Sequence, residues 1–195
     1  MIEGLEFYVR MIGSLRGELV ILSALLFFAG LLFAPVVVRR EIRLFMRYPL
    51  WIWRRIQHWV QPHDPFIKMT AVIAFLNATS LLVNIVSGLL VVLPFVSAFL
   101  VGLHIGVIVI KETGKWSLIV VLLNPLAFLE LPATWLSLAI GMRLGLSQFH
   151  HFSLSRAVPI LLEGLVVYGT LILPLLLVAA FIEVLLIKKR LTVNA

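Results

Sequence analysis

The sequence predicts an all-α protein, a polytopic transmembrane helical bundle of about five spans. Composition is the first observation: of the 195 residues, 62% are hydrophobic and 13% are charged, against about 45–50% and about 25% in soluble domains. The second is run length. Residues 19–38 and 69–110 are uncharged runs of 20 and 42 residues, and one crossing takes about 20. The third is charge placement, because basic residues flank the apolar runs. In lipid the backbone must satisfy its own hydrogen bonds, so runs of this kind become helices. Length allows a single integral membrane domain, 1–195.

The elements follow in order. The first 18 residues carry Glu3, Glu6 and Glu18 beside Arg10 and Arg16. A removable signal has a different charge pattern, so 19–38 is expected to be span 1. Residues 39–66 alternate differently. Arg40, Arg43, Arg47, Arg54 and Arg55 oppose Ile42, Phe45, Met46, Ile52, Trp53, Ile56 and Trp59, with Trp51 between them. Arginines opposite tryptophans suit a helix lying at lipid head groups. Pro49 is expected to split that helix.

Spans 2 and 3 are expected at 69–93 and 95–110, with Pro94 marking their turn. The stretch 116–145 exceeds one crossing, and Pro125 and Pro132 predict a kink or break in it. It reads as a long kinked span 4 or as a re-entrant pair of half-helices. Span 5 is expected within 157–187. With five spans, one side collects Arg39, Arg40, Arg43, Arg47, Arg54, Arg55, Lys68, Lys111, Lys115, Lys188, Lys189 and Arg190, which is 12. The other collects Arg10, Arg16, Arg143 and Arg156, which is 4. Basic residues favour the cytoplasmic side. The expected location is the cell membrane, with the N-terminus outside and the C-terminus cytoplasmic.

Polar residues at bilayer depth need a partner or a role. Asn77, Ser80, Asn84 and Gly88 share one face of span 2. Interhelical hydrogen bonds explain them, and so would a polar solute pathway. Ala98, Gly102 and Gly106 recur every four residues, as do Ala133, Ser137, Gly141 and Gly145. Such rows let backbones approach closely, within the chain or between copies of it. Glu130 stands mid-span between Pro125 and Pro132, beside Asn124, where a broken helix could supply donors. His104 is alone in span 3 and reads as a hydrogen-bonded neutral imidazole.

Cysteine is absent, which excludes disulfides, thiolate zinc and thiol catalysis. His58, His63 and Asp64 have no strong metal spacing, nor do His150 and His151, so no metal or other cofactor is expected. The formal charge of +7 is assigned to anionic head groups and topology, with no nucleic-acid partner. Paired catalytic groups are missing, so the chain is not expected to be an enzyme.

Three motifs carry a family resemblance. Phe75-Leu76-Asn77 resembles a Phe-x-Asn motif at the start of a second span. Ser97 to Gly102 resembles Asn-Gly-x-x-x-Gly. Leu123 to Ala133 resembles a Pro-His-Gly-x-x-Glu-x-x-Ala signature, with Leu126 and Ala127 at the His-Gly positions. Ala139 to Gly145 continues the likeness. Over residues 19–187 the chain resembles the stage II sporulation protein M family. The resemblance implies about five spans, the first set apart by an amphipathic segment. It also implies a membrane scaffold; in spore formers the namesake recruits cell-wall hydrolases during engulfment. The short loops here leave no large extracytoplasmic region for that recruitment. The expected function is a non-enzymatic membrane scaffold, a homo-oligomer or a partner of other membrane proteins. The alternative is a small permease or channel using Asn77, Asn84, Glu130 and His104.

Overall fold

The computed structural model describes residues 16–61, 63–114 and 125–194. Those residues form helices and turns, with no strand among them. Helix α1 spans Gly17–Arg39, α2 Arg43–Trp59, α3 Phe66–Val86 and α4 Leu93–Thr113. A 3-10 turn, Ser87–Leu89, leads from α3 toward α4. Helix α5 spans Ala127–Ser147. The last helix is continuous as α6 (Leu154–Val167), a π-helical turn (Tyr168–Ile172) and α7 (Leu173–Asn194). Four stretches, Gly17–Arg39, Phe66–Leu89, Leu93–Thr113 and Leu154–Lys189, are long and apolar enough to cross a membrane.

Several prolines act differently from the sequence expectation. Pro94 makes no turn; it occupies the first turn of α4, where its missing N–H would be unpaired in any case. The turn lies just before it. Pro49 does not split α2, and Pro132 does not break α5. In each helix a single carbonyl, of Phe45 or Phe128, loses its donor. Pro132 also lies on an exposed side of its helix, so the ring is absorbed without a break. Pro125, by contrast, sits in the turn that precedes α5, a break where one was expected; residues 116–124 of the expected span 116–145 lie outside the described residues. The final helix shows the opposite outcome. Pro174 cannot donate to Thr170, and the helix widens into the π-turn Tyr168–Ile172 just ahead of it.

Packing sets the register. Helices α1 and α4 run parallel and touch backbone to backbone. A Cβ on Gly102 would collide with the Phe27 carbonyl, and one on Gly30 with the Phe99 carbonyl. A Cβ on Gly106 would meet the Ala34 methyl at 2.5 Å. Helix α5 is the centre of the bundle, with Leu131 on Phe27 and Leu31, Ala139 and Met142 on Leu19 and Ala98, and Ala133 and Ile140 on Leu81 and Ile85. Helix α7 closes against α3 through Met69, Ile73, Ala180 and Val184. Beyond those contacts the Lys188 ammonium donates to the Asp64 carbonyl at 2.6 Å.

Candidate functional site

Helices α3 and α5 run parallel with a constant offset. Asn77 Nδ2 donates to Glu130 Oε1 at 3.1 Å, and Asn84 Nδ2 donates to Ser137 Oγ at 3.2 Å; both pairs are 53 residues apart. Gly88 meets the Gly141 carbonyl at the same offset. The Ser137 hydroxyl in turn donates to the Thr134 carbonyl at 2.8 Å, and Thr134 Oγ1 to the Glu130 carbonyl at 2.8 Å. One polar seam therefore joins the two helices through apolar surroundings, where unpaired groups are costly.

Glu130 stands in the first turn of α5, level with Asn77, the twelfth residue of α3. Helix α5 thus begins inside the bundle rather than at its edge. A helix N-terminus carries partial positive charge, which favours a carboxylate there. Pro125 and Leu126 form the turn that ends in this N-terminus. Asn124, expected beside Glu130, lies outside the described residues. The seam borders a cavity of about 170 Å³ whose polar lining is Asn77, Ser80, Asn84, Glu130 and Thr134. Among the described residues no three His, Asp or Glu side chains converge as metal ligands.

The other sequence-singled residues sit elsewhere. His104 is half-buried on α4, its ring 5.3 Å from that of Tyr48 on α2. Ala98, Gly102 and Gly106 face α1 and the centre. Gly141 faces the Asn84 carbonyl, and a Cβ on Gly145 would fall 2.6 Å from the Val91 carbonyl. Both small-residue rows are thereby spent on contacts within the chain. Ile42, just before α2, and Phe45, Met46 and Leu50 on it pack against Val37, Leu103 and Val107. The first half of its apolar face is covered by protein. Arg40, Arg43, Arg47, Arg54 and Arg55 are exposed, as are Trp51 and Trp59. Arg55 stacks over Trp51 at 5.5 Å, and the Trp53 indole N–H is buried without a partner.

Sequence reasoning missed four residues. Tyr168 donates to the Ala78 carbonyl at 2.8 Å. A phenol within an apolar span needs an acceptor, so its position was the available signal. Ser23 reaches the Trp135 carbonyl at 3.0 Å, tying α1 to α5. Glu163 pairs with Arg143 at 2.9 Å. Glu183 places a carboxyl within α7, the last span; its position was visible in the sequence.

The model of the family described as stage II sporulation protein M matches residues 23–186. The matched stretch holds the whole polar seam and all of α2 to α6. No curated protein and no solved structure gives a match.

Proposed function

The chain belongs to the stage II sporulation protein M family, and on that premise we propose that it is a non-enzymatic membrane scaffold. One observation carries this reading. The polar groups at the centre are used to join helices, Asn77 to Glu130 and Asn84 to Ser137. Each such bond contributes about 0.6–2 kcal/mol in a membrane. A bundle tied in this way holds its outer faces in fixed positions for other membrane proteins or for further copies of itself. Those faces are apolar, with Phe75, Phe128, Leu162 and Phe181 exposed. In this reading α2 lies at the cytoplasmic head groups, with its arginines toward anionic lipid.

Glu130 provides the test. Glu130→Gln keeps a hydrogen-bonding group opposite Asn77 and is expected to unfold in detergent like the parent. Glu130→Leu is expected to lose about 1–2 kcal/mol. A second reading, a small permease, is favoured by the cavity beside the seam. If both variants keep full stability but abolish solute flux in liposomes, the scaffold reading gives way to it.

A further inference from the structure

Consecutive helices α3 and α4 barely touch each other; α3 leans on α5 and α7, and α4 on α1. Between them lies a cleft of about 500 Å³, within the usual range of about 300–1,000 Å³ for ligand sites. Its walls are mainly apolar, with Leu76 and Val83 from α3 and Leu100, Ile105 and Ile108 from α4. Val83 is 59% exposed, so the cleft opens sideways, toward the surrounding hydrocarbon. Tyr48, Ile52 and Ile56 of α2 also line it. Asn77 and Asn84, at its back, turn their amides to Glu130 and Ser137, while Ser80, Ser97 and His104 add polar groups to the lining.

Tyr48 has a second side. There it lines a groove of about 440 Å³ with Leu44, Arg47, Trp51 and Arg54. Arg47 and Arg54 also border the neighbouring groove, together with Arg43 and Glu41. Arg54 is anchored by its Nε, which donates to the Leu50 carbonyl at 3.1 Å, so the rest of its guanidinium remains available. Among the described residues neither Arg47 nor Arg54 forms an ion pair. A hydrocarbon slot and two guanidinium groups are thus separated by one tyrosine ring.

We propose that this is a binding site for a single anionic phospholipid. The phosphate lies between Arg47 and Arg54, and one acyl chain passes Tyr48 into the α3–α4 cleft. The planar guanidinium fork matches phosphate oxygens, and two such groups favour net negative charge over a zwitterion. The inference rests on α2 lying at the head groups.

The test uses the full chain purified in mild detergent and examined by native mass spectrometry. Phosphatidylglycerol and phosphatidylcholine are the two lipid probes. One phosphatidylglycerol per chain is expected to remain bound, with phosphatidylcholine held at least about tenfold more weakly. The double variant Arg47→Gln, Arg54→Gln is expected to lose the lipid. Val83→Trp, which fills the cleft mouth and leaves both arginines, should lose it too. Lys111→Gln should retain it, and glycerol phosphate, a head group without chains, should not bind. Equal retention of both lipids overturns the site, as does unchanged retention in a folded Val83→Trp. Spin labels on α2 keep the two ideas separate. Labels at head-group depth without a retained lipid refute the site alone, and labels in bulk water refute the placement of α2.

Discussion

Acidification weakens the turn that holds Asp64. Its carboxylate accepts from Lys68 Nζ at 2.7 Å and from the Gln61 N–H at 3.0 Å. These two bonds, the Lys68 one first, hold it below its ordinary value of 3.8. A lowered value in the folded state means a stabilising contribution that is complete above about pH 5 and is lost as pH falls through the folded value. The Asp64 carbonyl also accepts from Lys188, so weakening the turn frees the end of α7. Hydrogen-exchange protection at residues 63–68 should therefore begin to drop below about pH 5 and go on falling as pH passes through the folded value, which lies under 3.8. Asp64→Asn should show reduced protection at neutral pH and a flat profile; a flat profile in the parent chain would refute the account. Single residues of this kind were partly legible in the sequence. Glu130 and Asn77 each stand out because a polar group in an apolar run needs a reason. Their pairing does not stand out, because it depends on the register of two helices separated by α4. Tyr168 and Glu183 passed unnoticed inside a run read only for its length.

Among the elements, the α1–α4 pair is the most sensitive to change. Its backbones meet at Gly30 and Gly102, so no side-chain movement can make room for an added methyl. Gly102→Ala is expected to cost about 1–3 kcal/mol of overpacking in detergent unfolding. Gly17→Ala, with nothing within 4 Å of the new Cβ, should fall within about 0.5 kcal/mol of the parent. Equal effects for the two would show that the close approach does not bear on stability. The spacing of Ala98, Gly102 and Gly106 announced a tight contact without naming the partner helix. Helix existence was legible from run length; helix ends at prolines were not. Pro49 and Pro132 removed one bond each and were tolerated, Pro94 began a helix, and Pro174 produced a π-turn. One residue type gave three outcomes, because cost depends on position along the helix and on whether neighbours can relax.

At the scale of the molecule, α1 and α4 run one way and α3 and α5 the other, with α6 and α7 returning alongside α3. The described chain therefore begins and ends at opposite faces. With five spans the sequence puts 12 basic residues toward one face and 4 toward the other, and the positive-inside rule predicts that the 12 are cytoplasmic. Reporter fusions are expected to find residue 1 outside and residue 195 inside; both termini on one side would overturn that assignment. Helix α5 has a further meaning at this scale. It carries Glu130 and Arg143 and is not among the stretches apolar enough to cross a membrane unaided, yet ten of its 21 residues are buried. Much of its surface meets protein rather than lipid, so it has less reason than the other long helices to enter the bilayer alone. During biosynthesis it leaves the ribosome after α1, α3 and α4, whose side chains form the groove that receives it. The stretch Leu154–Lys189, made after it, closes against α3 and α5. Along the chain, the least lipid-soluble of the long helices is made after the groove that shelters it.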